Sequence, residues 1–523
     1  MRVMYFFRIA LAMKGVDSTM KRSISVISAV VLLFCLLPGA KASDKGRHNW
    51  YEVFVRSYQD SNADGIGDLN GLISRLDYIS DMGYNGLWLM PIMPSPSYHK
   101  YDVTDYCAVD PEYGDLDDMR ELVKQAHQRG ISLIIDLPVN HTSTEHPWFK
   151  NAADALRTGT DSPYISYYNF SAKPEQGYVP LGDTGWYYEE RFAGGGMPDL
   201  ALDSPDVRRE ISGITAFWLK EIGVDGFRLD AVTSYYTGQR DKNIAFLRDL
   251  KTMCDQAAPD CYLVGECWAG LSEISAYYES GIDSFFLFPA SQAEGFVVAS
   301  LRGRSAHAER FARQYANVLD SIKDGALAPF LANHDTGRTI GSVQGRKNLA
   351  IAKFAHGVVN MLGGNVFTYY GDEIGMVGSG DDPNKRLAMF WNENDMTEQP
   401  PGVTRLEYAY PSVDDQLKDE NSLLNYMKAL NHARLAHPLI AEGDNGFVYV
   451  SGDVCLMSRE GPAGINYIAM NFSSSADGTC EVPENLKITR DLETGEGKAA
   501  LDGTKLTLPP YAIVILEAAA GGA

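Results

Sequence analysis

Gly226-Phe227-Arg228-Leu229-Asp230-Ala231-Val232 decides how the rest of this 523-residue chain is read. Arg228 and Asp230 interrupt an apolar run at i and i+2, so on a strand both side chains point to one face. Burying a cation and a carboxylate is costly unless they are paired. The pair is therefore either a structural ion pair at a strand end or one wall of a solvent-excluded site that needs fixed charge. The other strand ends choose between the two.

Outward from this stretch, short apolar runs alternate with amphipathic helical patterns. Strands are expected at 51–58, 86–90, 132–137, 226–229, 262–265, 284–288, 328–331 and 365–370, with helices such as 72–82, 116–129, 207–222, 243–257 and 346–362 between them. Eight such alternations predict an α/β fold, a parallel (β/α)8 TIM barrel over 43–141 and 204–438, with its working residues where the strands end. The connection 142–203 is too long for a loop and reads as an inserted domain. Its aromatics, Tyr164, Tyr167, Tyr168, Trp186, Tyr187 and Tyr188, are expected mainly to pack its own core, with stacking on a sugar as the alternative. After a helix over 422–436, short strands between Gly, Ser and Asp turns predict an antiparallel β-sandwich over 439–523.

The strand ends are polar. Asp136, Asn140 and His141 close the third, Arg228 and Asp230 the fourth, Glu266 the fifth, and Asn333, His334 and Asp335 the seventh. Carboxylates and imidazoles delivered to one barrel face exceed what a structural network needs. One ionised and one protonated carboxyl around a neutral substrate is the requirement of glycoside hydrolysis. The sequence has no catalytic zinc spacing, no phosphate-cradling loop after the first strand and no Gly-x-Ser-x-Gly elbow.

The ordered set Asp136–His141, Gly226–Val232, Glu266 and Phe330–Asp335 resembles the signature regions of the α-amylase family, glycoside hydrolase family 13. Met197-Pro198-Asp199-Leu200 and Tyr370–Gly375 resemble two further segments of that family. The resemblance implies Asp230 as nucleophile, Glu266 as general acid/base and Asp335 as stabiliser of the distorted sugar, with Arg228 holding Asp230 ionised. It implies Tyr101 stacking on that sugar, His99, His141 and His334 bonding its hydroxyls, Asp136 and Asn140 ordering the site, and Arg386 with Asp102 completing the pocket. It also implies retention, with carboxyls about 5–5.5 Å apart. Residues 142–203 would be the family's domain B.

Ala231 is small where relatives that cut α-1,6 bonds tend to carry Val, which favours internal α-1,4 cleavage of starch or maltooligosaccharides. Thr233-Ser234 departs from the Lys-His of many endo-acting members, and Met197–Leu200 is intermediate between the oligo-1,6-glucosidase and neopullulanase forms. An exo-acting α-glucosidase or a 4-α-glucanotransferase is the alternative; a non-catalytic glucan-binding protein would be expected to lack one of the three carboxylates.

Asp60, Asn62, Asp64 and Asp68 stand at positions 1, 3, 5 and 9 of an EF-hand-like loop, with Gly65 at 6 and the Ile66 carbonyl at 7. Gly71 occupies position 12, where such loops carry Glu. The expected ion is a structural Ca2+, with Mg2+ as the alternative.

Lys21 and Arg22 precede an apolar run to Leu37, and Ala40-Lys41-Ala42 offers a cleavage site, so 1–42 reads as an upstream extension and a signal peptide for export to the periplasm or medium. Lipid attachment at Cys35 is the alternative, and the run is too short to span a membrane. Beyond residue 42 remain 40 Lys and Arg against 67 Asp and Glu, net −27, which disfavours nucleic acid or anionic lipid as partner. A monomer is expected. Disulfides are expected at Cys254–Cys261 and Cys455–Cys480, while Cys107 and Cys267 stay undecided.

Overall fold

The computed structural model describes residues 48–519 except 304 and 496, so the expectations for 1–42, Cys35 included, lie outside the described residues. Barrel strands β1 (Asn49–Val53), β2 (Gly86–Leu89) and β3 (Ser132–Leu137) come first. The insertion carries β4 (Phe170–Ser171), β5 (Tyr178–Pro180) and β6 (Tyr187–Glu189). The barrel resumes with β7 (Gly226–Leu229), β8 (Tyr262–Gly265), β9 (Ser284–Phe286), β10 (Ala326–Ala328) and β11 (Val366–Tyr369). These eight pair in parallel in the order β10-β9-β8-β7-β3-β2-β1-β11. The ends meet: Asn365 N–H donates to the Leu327 carbonyl at 2.8 Å and Phe367 N–H to the Pro329 carbonyl at 3.0 Å.

β1, β2, β7 and β8 are buried along their whole length, as strands must be when helices cover one side and side chains fill the other. Trp50, Trp88, Phe286 and Phe367 contact one another across the interior at ring separations of 4.9 to 6.1 Å. Gly226 is dictated by packing, since a Cβ there would meet the Tyr262 carbonyl oxygen at 1.8 Å.

Three elements differ from the periodicity. The seventh strand lies earlier, at 326–328, because Pro329 has no N–H to continue the ladder, although Phe330 still bridges Phe367. The first ends at Val53 and turns through a 3-10 segment, Val55–Ser57. The helix expected at 207–222 is α-helical from Pro205 to Ala216 and then opens into a π turn, Phe217–Ile222, ending at left-handed Gly223.

In the insertion, β4-β6-β5 pack against the helix Pro147–Thr158, whose Phe149 lies 5.0 Å from Tyr168 and 4.9 Å from Tyr188. These aromatics fill the insertion's own core.

The C-terminal part holds β12 (Asp444–Ser451), β13 (Val454–Gly461), β14 (Gly464–Asn471), β15 (Gly478–Glu481), β16 (Leu486–Leu492), β17 (Ala500–Asp502), β18 (Lys505–Leu508) and β19 (Ile513–Ala518). They form antiparallel sheets in the orders β12-β13-β14-β19-β16 and β15-β18-β17. The disulfide expectations are corrected: all six described cysteines are unbridged. On β13, Val454 and Leu456 join the core that contains Cys480, whereas Cys455 and Met457 join the larger core shared with the barrel. Strand alternation thus aims Cys455 away from Cys480. Cys254 and Cys261 meet thiol to thiol through a hydrogen bond. Among the described residues no helix is long and apolar enough to cross a membrane.

Candidate active site

Arg228 is the fixed point of the site. It is fully buried on β7, and its Nη1 donates to both Asp136 oxygens at 2.8 and 2.9 Å and to Asp230 Oδ1 at 2.6 Å. Nη2 lies 3.0 Å from Glu266 Oε2. One guanidinium therefore joins carboxylates from the ends of β3, β7 and β8. Its planar fork can serve three acceptors where a lysine ammonium would hold a point charge.

Glu266 Oε2 also accepts the Ala231 N–H at 3.0 Å. That donor is aimed by an uncommon backbone: Ala231 has φ +44°, in the left-handed region. Burial pushes the Glu266 carboxyl up to about 7, against the opposing pull of Arg228.

Past β10 the chain supplies His334 and Asp335. His334 Nδ1 lies 2.6 Å from Glu52 Oε1, and Nε2 lies 2.7 Å from the Tyr101 hydroxyl and 3.0 Å from Asp335 Oδ2. Burial disfavours a charged imidazole, but the Asp335 and Glu52 carboxylates outweigh it and push His334 up to about 10. Burial likewise opposes ionisation of Asp335, yet His334 and Arg386 hold it well below the usual carboxylate range. Arg386 Nη2 donates to Asp335 Oδ1 at 2.7 Å, and its Nε to the His334 carbonyl at 3.2 Å. Tyr101 stacks on His334 with centroids 5.6 Å apart and donates to Asp136 Oδ2 at 3.1 Å.

Above these groups lies a cavity of about 460 Å³. Of the residues singled out in the sequence, His99, Tyr101, His141, Asp230, Glu266, Asp335 and Arg386 line it, while Arg228 and His334 support it from beneath. His141 is buried with Nε2 3.3 Å from the Tyr101 carbonyl, and burial lowers its pKa. Asp102 sits behind the cavity wall rather than in it: its carboxylate accepts from Ser95 Oγ at 2.6 Å and from Ser97 Oγ and lies 3.9 Å from His99 Nδ1, while Arg386 reaches Asp335 and Asp382 instead. Asn140 donates to Asp199 at 3.0 Å behind the cavity.

Sequence reasoning missed Glu52, Asp382, Phe192 and Trp268. Glu52 could have been found, since it is a lone carboxylate inside the apolar run of the first strand. Phe192, 37% exposed and 5.5 Å from His141, and Trp268, 51% exposed, line the cavity from loops that carry no periodic signal.

Residues 52–443 match the family model described as "Alpha amylase, catalytic domain". The chain belongs to the α-amylase family. "Alpha-amylase 3" of Dictyoglomus thermophilum is 37% identical over 431 residues, covering 81% of this chain and 84% of that protein. "Neopullulanase 2" of Thermoactinomyces vulgaris is 33% identical over 63% of this chain and 53% of its own, and "Probable oligo-1,6-glucosidase 2" of Bacillus subtilis is 29% identical over 75% and 84%. Among solved structures, Eubacterium rectale Amy13B superposes with a TM-score of 0.87 at 39% identity, covering 91% of this chain and 96% of that one. Relatives under all three names agree with a placement between the oligo-1,6-glucosidase and neopullulanase branches. The family makes the protein a glycoside hydrolase acting on α-glucans.

The loop 60–68 is rich in oxygen donors that a hard cation would take. Gly65 has φ +90° at the expected tight turn, and hard oxygen donors surround it. Asp60 accepts the amides of Asn62, Ala63 and Gly65, Asn62 that of Asp64, and Asp64 that of Ile66. Asp68 faces elsewhere, accepting from Ser61 and capping the helix Leu69–Ser74 through Gly71 N–H at 2.7 Å. Glu398 runs beside Gly65, its N–H donating to the Gly65 carbonyl at 2.7 Å. Among the described residues no group of three or more His, Cys, Asp or Glu could hold a metal, so any ion would rest on Asp60, Asp64, the Asn62 amide and the Ile66 carbonyl.

Proposed function

We propose that the protein is a retaining α-glucan hydrolase that cuts internal α-1,4 bonds of starch or maltooligosaccharides by double displacement. The observation that carries this reading is the single Arg228 guanidinium touching both Asp230 and Glu266 beneath one cavity. Arg228 holds Asp230 at 2.6 Å and aims it as the nucleophile. Glu266, raised to about 7 by burial, carries its proton below that pH and gives it to the departing glycosidic oxygen. It then removes a proton from the water that releases the glycosyl-enzyme. Asp335, kept anionic by His334 and Arg386, faces the positive charge that develops on the sugar ring. Tyr101 offers the stacking surface, and His99 and His141 the hydroxyl contacts.

Ala231, which lines the cavity, supports α-1,4 over α-1,6 specificity, because relatives that cut α-1,6 bonds tend to carry Val there. The loop at 60–66 would bind Ca2+, or Mg2+ in its place, as a structural ion distant from the chemistry. Export as a monomer, directed by residues 1–42, completes the reading. The test is product length from starch and maltoheptaose. Rapid loss of iodine staining with mixed short products is expected; glucose alone marks an exo-acting α-glucosidase and products longer than the substrate a 4-α-glucanotransferase, and either outcome overturns internal hydrolysis.

A further inference from the structure

Glu52 stands on β1, is 1% exposed and does not line the catalytic cavity. A buried carboxylate out of reach of substrate is costly unless it acts on a group beside it. That group is His334. Glu52 Oε1 lies 2.6 Å from His334 Nδ1 and accepts the main-chain N–H of the same residue at 3.3 Å. The first barrel strand thus grips one histidine at two points.

The other ring nitrogen decides the charge. Nε2 lies 3.0 Å from Asp335 Oδ2 and 2.7 Å from the Tyr101 hydroxyl. Glu52 Oε1 already takes a main-chain N–H, and Asp335 pairs through Oδ1 with Arg386 at 2.7 Å, so both carboxylates act as acceptors. A neutral imidazole carries one N–H and would turn a lone pair on one of them. With an acceptor at each nitrogen, the ring holds both hydrogens and is an imidazolium. Burial raises the Glu52 carboxyl, but His334 and Arg228 oppose it. The acidic groups around the ring are Glu52 on β1, Asp136 on β3, Glu266 after β8 and Asp335 itself. Against them stand the guanidiniums of Arg228 on β7 and Arg386 after β11, with the hydroxyls of Tyr101 and Tyr369 alongside.

The second hydrogen orders the site. Nε2–H anchors Asp335 Oδ2 and gives to the Tyr101 oxygen, which leaves the Tyr101 hydroxyl to donate to Asp136 Oδ2 at 3.1 Å. A neutral ring protonated on Nδ1 would take the Tyr101 hydrogen instead and face Asp335 with a lone pair. Resting on the reading of Asp335 as the carboxylate that stabilises the charged sugar, we propose that Glu52 is a positioning residue for glycoside cleavage. By keeping both hydrogens on His334 it fixes Asp335 and the Tyr101 ring from beneath the cavity, without touching substrate.

Glu52→Gln keeps the shape and an acceptor for the two N–H groups and removes the charge. With one counter-charge gone, His334 is expected to lose its second hydrogen before pH 8, while the parent keeps it. The ratio of parent to variant kcat/KM on maltoheptaose, in which the titration of Glu266 cancels, is expected to rise from about two-fold at pH 5 to about 10-fold or more at pH 8. Loss of packing alone would lower activity by one factor at every pH; that outcome overturns the proposal, as does no loss. On a His334→Asn background, Glu52→Gln is expected to cost less than about two-fold, because its effect passes through the ring. Losses that multiply independently overturn it. The parent supplies a measurement that needs no variant to fold: NMR with isotope-labelled histidine should show one ring that keeps both N–H groups at pH 9, below the value of about 10 to which His334 is raised, and the absence of such a ring overturns the assignment. Asp335→Asn run in parallel keeps the two readings apart. If it still hydrolyses, the role of Asp335 fails; if it is inactive and Glu52→Gln gives a flat ratio, Glu52 alone is misread.

Discussion

Replacing Glu266 with Gln should cost the enzyme its activity and make it more stable at alkaline pH. Glu266 is 6% exposed and its carboxyl is raised from 4.5 to about 7. Because the folded-state value lies above the unfolded one, the carboxyl stabilises below about 4.5 and is paid for as pH rises through about 7. At pH 9 the penalty is ~3 kcal/mol, at about 1.4 kcal/mol per pH unit. Gln keeps an acceptor for the Ala231 N–H and for Arg228, and Arg228 retains Asp136 and Asp230. With an unfolding entropy of about 1 kcal/mol/K for a chain of this size, the gain corresponds to ~3 °C in midpoint. Thermal melts of both proteins at pH 5 and pH 9 measure the difference. The Gln variant should match the parent at pH 5 and melt ~3 °C higher at pH 9, with kcat on maltoheptaose lowered by about 10²–10⁴ at either pH. A variant destabilised more at pH 9 than at pH 5 would refute the burial argument, and retained activity would refute the role of the acid.

Other changes address neighbouring parts of the site. Asp230→Asn should lower hydrolysis by about 10⁴ or more and abolish the covalent adduct that a 2-deoxy-2-fluoro glycosyl fluoride forms with the parent, read by peptide mass spectrometry. Ala231→Val, with a branched side chain forced to φ +44°, should lose about 1–2 kcal/mol in denaturant titration, whereas Ala231→Gly should lose less; both should shift the alkaline limb of the kcat/KM profile by loosening the N–H on Glu266. A chelator should lower the melting midpoint of the parent and leave an Asp60→Ala/Asp64→Ala variant unmoved, measured by calorimetry with and without added Ca2+; an equal response in both would place the ion elsewhere.

The strand ends were legible because a charged residue inside an apolar run is costly and therefore conspicuous: Asp136, Arg228, Asp230 and Glu266 all stand out this way. The outer limits of the first and seventh strands were not, since burial on both faces removes alternation and Pro329 breaks a ladder without changing the pattern. Cys455 shows the same limit from the other side. Its nearness in sequence to Cys480 suggested a bond, while the pleat of β13 turns it into a different core.

The sequence by itself determined the alternation that builds the barrel, the family and the residues able to do acid chemistry, because these depend on local period and residue type. The tertiary structure decided which carboxylates share Arg228, that Glu52 lies against His334, and that Asp102 turns to Ser95 and Ser97. Each of these is a distance between segments far apart in the chain. Such distances are fixed by the closure of the barrel, and no local pattern encodes them.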